Sequence, residues 1–242
     1  MNIIREDSIT TVEPEINKPV IRDIIISLIA FFLIGTVLYK VLKPVSFIPP
    51  EILNSISVLV AILFAICLLN QKYPLDLLLP FNIKFVSIYV LPALFVCLLI
   101  YSPRIWSDYT GASPIPQEYK IFSELGSTWK IIFLIDFCLL GPITEELFAR
   151  GFVYRILKSR YNILLSVVIS SVIFQILHGF SMETLLNLRI LMVSLIFTYV
   201  YEKTGTIWSS IITHSLNNIF WLIFVYLNVR IWFNIEKNGV YN

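Results

Sequence analysis

Residues 129–150 read WKIIFLIDFCLLGPITEELFAR: the largely apolar run Ile131 to Leu140 passes directly into Thr144, Glu145, Glu146 and Arg150. A segment apolar enough to enter a bilayer therefore becomes strongly polar while still at membrane depth. Each charged side chain near the bilayer centre costs about 2.5–3.5 kcal/mol on the insertion scale. Glu145, Glu146 and Arg150 together represent roughly 8–10 kcal/mol that internal pairing has to offset. Glu146 and Arg150 are four residues apart, on one helix face and within reach of an ion pair, whereas Glu145 projects about 100° away. One carboxylate is then held by the guanidinium while its neighbour stays free for general-base work. An interhelical salt-bridge cluster that only fixes packing, or a shallower helix end, accounts for the same three residues.

The rest of the chain agrees with a bilayer as its solvent. Of its 242 residues, 57% are hydrophobic and 14% charged, and the mean hydropathy is +0.82, outside the range of water-soluble domains. A transmembrane helix takes about 20 residues. The expectation is an all-α, polytopic membrane helix bundle of seven or eight transmembrane helices, with no room for a separate soluble catalytic domain. The 18 Lys and Arg are spread along a chain of net charge +2, so no stripe exists to follow phosphates, and nucleic acid is not an expected partner. Cys67, Cys97 and Cys138 all fall in apolar runs without CxxC or Cys/His spacing. They read as small buried hydrophobes, not as disulfides or thiolate ligands.

The expected spans are Asp23 to Leu42, Ile52 to Leu69, Phe85 to Tyr101 with a kink at Pro92, Trp129 to about Arg155, Ile163 to about Gly179, Leu185 to Tyr201, and Ile207 to Val229. Pro49 and Pro50 mark a turn, Gln117 to Leu125 fits a short interfacial helix, and Lys203 to Gly205 forms a tight turn. The polar connection from Ser102 to Thr128 carries Pro103, Gly111, Pro114 and Pro116, with Trp106, Tyr109 and Tyr119 suited to the headgroup layer. Three regions follow: 1–128, a polar segment, three generic spans and a polar loop; 129–229, the part that carries the chemistry; and 230–242, a short polar tail. Counting Lys and Arg gives nine inside against eight outside for an N-inside topology, and the cluster Arg155, Lys158, Arg160 points the same way.

The chain has two histidines, and both lie in apolar spans. His178 follows Phe174 by four residues, so ring and imidazole share a helix face. His214 and Asn218 lie one turn apart on the last span. Singly, each has a plain structural explanation: a hydrogen-bonded interfacial histidine, or a polar seam joining helices. Jointly with two acids they supply a carboxylate base, an imidazole to orient and deprotonate water, and donors for an oxyanion. No HExxH, no GxSxG and no pair of membrane aspartates is present. Asp136 stands alone and reads as a polar residue facing the bundle.

In order, Glu145 to Arg150 is EExxxR, Phe174 to His178 is FxxxH, and His214 to Asn218 is HxxxN. With the stretch Thr204-Gly205-Thr206-Ile207-Trp208, this resembles the CPBP family of intramembrane proteases, which includes the CAAX prenyl endopeptidases and the bacterial Abi or bacteriocin-immunity proteins. The resemblance covers Trp129 to about Leu227. It implies a helical membrane fold with a cavity open to the cytosol, a bacterial cell membrane as location, and an endopeptidase acting on a membrane-associated peptide or protein. Carried over by position, Glu145 and His178 activate the water, His214 and Asn218 stabilise the oxyanion, and Glu146 and Arg150 hold their helix in place. The implied reaction uses no cofactor; a zinc ion on Glu145, His178 and His214 is the alternative, since two His and one Glu are a zinc-ligand set. A non-catalytic immunity or binding protein and a small transporter compete, although a transporter would carry inverted repeats or paired broken helices. The span boundaries leave one mismatch: His178 and His214 differ in depth by roughly 10 Å at 1.5 Å per residue, unless the helices tilt or the fifth span continues to about Leu185.

Overall fold

Rows of apolar residues face outward on this molecule, and a cluster of polar residues is buried within it. The computed structural model describes residues 21–45, 47–72, 83–109, 117–178 and 188–237; its regular structure there is entirely helical. The helices are α1 (Ile21–Leu42), α2 (Pro50–Lys72), α3 (Ile83–Tyr109), the short α4 (Gln117–Glu124), α5 (Ser127–Ile135), α6 (Gly141–Glu146), α7 (Arg155–Lys158), α8 (Ile163–Leu177), α9 (Leu188–Thr204) and α10 (Ile207–Lys237). Two π-helical turns, Asp136–Leu140 and Leu147–Tyr154, join α5, α6 and α7 into one continuous helical run. The expected loop residues Gly111, Pro114 and Pro116, the end of the fifth span at Gly179 and the start of the sixth at Leu185 lie outside the described residues. So do the side chains of Pro103, Trp106, Tyr109 and Tyr119.

Two helices, Arg22–Leu42 and Pro50–Gln71, are long and apolar enough to cross a membrane, and Ser87–Tyr101 and Ile163–Leu177 are shorter apolar helices. Their outward faces carry Ile25, Ile29, Leu33, Val37 and Val41 on α1, Leu91, Phe95 and Leu99 on α3, and Leu164 and Val168 on α8, all exposed. Apolar rows of that extent are not tolerated against water. Meanwhile Glu146, Arg150, Ser194, Thr198, Ser209, Ser210, Thr213 and His214 are buried. Apolar outer rows around a buried polar cluster are the pattern of a protein solvated by lipid. Cys97 is buried as expected, but Cys67 is exposed and Cys138 half-buried; Cys67 stands on the same outer apolar face of α2 as Leu63 and Phe64, which lipid covers as well as protein would.

α1 packs along α2, where small side chains let the backbones approach: a Cβ at Gly35 would lie 3.5 Å from Ala61 Cβ. Their shared core of Ile24, Phe31, Ala61, Ile62, Ala65 and Leu69 extends onto Phe148, Phe152, Val153, Ile156 and Leu157 of the second π-turn and α7. α3 packs on α9 and α10, and α9 also contacts α8 and α10. Helix α3 continues unbroken through Pro92. Between α9 and α10 the chain turns at Gly205, whose φ of 67° is left-handed and whose N–H returns to Tyr201 O at 2.9 Å. Any other residue there would be strained, which explains a glycine at this turn.

Candidate active site

The run from α5 to α7 presents its polar residues by way of the π-turns. Gly141 N–H bonds to Asp136 O, five residues back, which adds a residue to the turn and shifts the helix face that follows. Glu145 and Glu146 sit at the end of α6, one turn past that bulge. Gly141 is needed at this place because a Cβ would lie 3.0 Å from Asp136 O and 3.6 Å from Glu145 Oε1. Overpacking of this kind costs about 1–3 kcal/mol, so Gly141→Ala should lower the melting temperature in detergent by several degrees. A variant that melts with the wild type would mean the approach is looser than described. Asp136 is half-buried and hydrogen-bonded to Ser55 of α2, so it faces the bundle.

Glu146 and Arg150 form the expected pair, NH1 to Oε1 at 2.9 Å, with both side chains at 1% exposure or less. The guanidinium goes further than its own helix. Its NH2 donates to both the carbonyl and the hydroxyl of Ser194 at 2.7 Å, and Nε donates to Thr198 Oγ1 at 3.3 Å. Phe174 of α8 and Phe197 of α9 lie against it, with centroids 4.6 and 5.6 Å from Cζ. Glu146 in turn accepts from Ser210 and meets His214 Nδ1 at 2.9 Å, both on α10. One buried ion pair thus joins the α6 run to α9 and α10, with every fork of the guanidinium used.

Glu145 is placed differently. Its Oε2 takes no protein hydrogen bond, yet it lies 3.5 Å from His178 Nε2 and 4.0 Å from His214 Nε2. Both imidazoles are oriented from behind: His178 Nδ1 is 2.8 Å from Phe174 O, and His214 Nδ1 faces the Glu146 carboxylate. With Nδ1–H donated in each ring, both Nε2 atoms face the Glu145 oxygen. Phe174 stacks 4.5 Å from the His178 ring and 5.9 Å from the His214 ring, and Phe197 stacks on His214 at 4.7 Å. The roughly 10 Å depth difference expected between the two histidines is not found. Helix α8 stops at Leu177 with His178 as its cap, and the Phe174 ring of α8 reaches to 5.9 Å from the His214 ring of α10, so both imidazoles meet one oxygen.

Asn218 is one turn beyond His214 on α10. One hydrogen of its amide is given to Phe137 O at 2.9 Å, and its Oδ1 accepts from Asn217 at 3.3 Å. The sequence reading missed Ser194, Thr198, Phe197 and Ser210. Their only signal is spacing: Ser194 and Thr198, like Ser210 and His214, are four apart in otherwise apolar helices, so each pair lines one face. Among the described residues, no set of three or more His, Cys, Asp or Glu side chains is arranged to hold a metal ion.

Residues 127–220 match the Rce1-like family, described as type II CAAX prenyl endopeptidase Rce1-like. A Bacillus subtilis (strain 168) protein named "Putative membrane peptidase YdiL" is 32% identical over 92 residues, which are 38% of this chain and 36% of that protein. The similarity therefore spans about a third of that relative. No solved structure matches the chain. The matched segment runs from α5 to α10 and contains every residue of the Glu145, Glu146, Arg150, His178 and His214 constellation; over this segment the chain is similar to the Rce1-like family.

Proposed function

We propose that the protein is an intramembrane endopeptidase of the CAAX-protease type, hydrolysing a peptide bond in a membrane-associated peptide or protein. The observation that carries this reading is the Glu145 carboxylate oxygen facing two oriented imidazole nitrogens at 3.5 and 4.0 Å, in a bundle whose outer surface is apolar. The Glu145 oxygen and the unprotonated Nε2 of His178 suit a water molecule, which can donate one hydrogen to each while keeping a lone pair for attack. In the proposed reaction the water oxygen bonds to the scissile carbonyl carbon and its proton passes to Glu145. The carbonyl becomes an oxyanion, received by the second N–H of Asn218 and by the Nε2–H of His214 in its doubly protonated form, whose Nδ1–H stays on Glu146. Collapse of the intermediate breaks the C–N bond, and Glu145 returns the proton to the leaving amine. Glu146, held by Arg150 and Ser210, orients His214 from behind. Family similarity supports the protease class; a bacterial cell membrane as location and a part in bacteriocin self-immunity are proposals of the same kind.

The proposed reaction is metal-free. A zinc ion, the alternative, would be held by Glu145, His178 and His214 and would supply a Lewis acid to the water. The test is peptide release by purified protein reconstituted in liposomes, with and without phenanthroline. Activity is expected to change less than about twofold in the chelator. Loss of activity with removal of a stoichiometric metal, and recovery on adding it back, would replace the metal-free reaction with the zinc one. Reconstituted protein that binds peptide without ever cleaving it would favour the non-catalytic immunity or binding protein.

A further inference from the structure

We propose that the Asn218 amide stands in for the backbone N–H that Pro142 lacks, and that through this bond Asn218 is a positioning residue for Glu145. The argument is an accounting of N–H groups. In an α-helix the Phe137 carbonyl would accept from the residue four along, Gly141. Here Gly141 N–H is given to Asp136 O instead, and the next residue, Pro142, has no N–H to give. The Phe137 carbonyl is left without a donor from its own turn. Inside a helix bundle a backbone carbonyl left without a donor is costly. Asn218 Nδ2 supplies the missing bond at 2.9 Å from α10, 81 residues away in sequence. Asn217 donates to Asn218 Oδ1, which orients the amide with its nitrogen toward Phe137.

The bond bears on Glu145 because the bulge and the carboxylate share one short element. Pro142 is the second residue of α6, and Glu145 follows it by three residues, about one turn. A Cβ at Gly141 would touch both ends, the Asp136 carbonyl at 3.0 Å and the Glu145 carboxylate at 3.6 Å. Asn218 and His214 are one turn apart on α10. A clamp from Asn218 to Phe137 therefore sets the height and rotation of α6 against the helix that carries His214, and with it the 4.0 Å approach of Glu145 to His214. What Glu145 does there rests on the reaction proposed above; the clamp itself does not.

The test supplies the missing N–H from the chain. Wild type, Asn218→Leu, Pro142→Ala and the double variant are compared as full-length protein in detergent for melting temperature, and in liposomes for kcat and KM of peptide hydrolysis. Leucine keeps the shape of asparagine and removes its hydrogen bonds. Asn218→Leu is expected to lower the melting temperature by roughly 3–8 °C, and Pro142→Ala in that background to restore at least half of the loss. Pro142→Ala alone should change it by much less, because the carbonyl already has its donor. The kcat of the double variant should exceed that of Asn218→Leu about tenfold at unchanged KM, staying below wild type because the second amide N–H is not replaced. Equal shifts from Pro142→Ala in both backgrounds would overturn the substitution of one N–H for another. Restored melting with kcat left at the Asn218→Leu value would overturn the positioning role. Should Asn218→Leu not fold, recovery of folding in the double variant supports the clamp, and a double variant that also fails to fold overturns it. A wild-type protein without hydrolytic activity would defeat the proposed reaction while the melting comparison still decides the clamp.

Discussion

Replacing Glu145 with Gln is expected to reduce peptide hydrolysis by about 10²–10⁴-fold, the range for loss of a general acid-base catalyst, with no loss of folded protein. The two halves of that expectation have separate causes. Glutamine occupies the same volume, so the space beside Gly141, where a Cβ would lie 3.6 Å from Glu145 Oε1, stays filled as before. Oε2 accepts no hydrogen bond from the protein, so its replacement strands no buried donor that had depended on it. What changes is the proton inventory: an amide cannot take a proton from water, and its NH2 would point a donor where an acceptor is required. Stability should therefore stay within about 1 kcal/mol of wild type while turnover falls. Initial rates at saturating peptide, normalised to monodisperse folded protein, measure it. Cleavage that survives Glu145→Gln undiminished would remove the glutamate as base and direct attention to the imidazoles.

Much of this site is legible in the sequence because its residues are expensive where they are. Two acids and an arginine in an apolar run need compensation, and the four-residue spacing of Glu146 and Arg150 says which acid is paired, as the 2.9 Å contact bears out. The same spacing puts Phe174 and His178 on one face, and their rings are 4.5 Å apart. Less legible was everything that depends on where helices cross. Spacing along one helix cannot tell that Arg150 reaches Ser194 and Thr198 on α9, because serine and threonine in apolar helices are common and cheap when bonded to their own backbone. Nor could helix boundaries place His178 beside His214, since depth counted from span ends does not say where side chains of two different helices meet. The π-turn at Asp136–Leu140 was hidden for a different reason. Gly141-Pro142 signals an interruption, but the sequence does not say that an amide 81 residues away takes up the carbonyl set free.

Arg150→Ala should be the most destabilising single change in the molecule, by about 3–5 kcal/mol. The guanidinium is 1% exposed and donates to a carboxylate, a carbonyl and two hydroxyls. Removing it leaves Glu146 fully buried with its charge uncompensated, which costs more than the net worth of the pair. It also empties the slot between Phe174 and Phe197. At about 2–4 °C per kcal/mol for a chain of this size, the melting temperature should fall by roughly 6–20 °C. Lysine should recover little, because a single ammonium cannot serve Glu146, Ser194 and Thr198 at once. The informative comparison is Glu146→Gln with Arg150→Met, which removes both charges and refills the space. That double variant should melt above Arg150→Ala, since an unpaired buried charge no longer remains. Its activity per folded molecule should nonetheless stay well below wild type, because His214 Nδ1 would lose the carboxylate that orients it at 2.9 Å. Stability and activity would then part company in one protein, separating the pair's part in holding the helices from its part in aiming the imidazole. Single variants that melt with the wild type would refute the assignment of this pair as the tie between the α6 run, α9 and α10.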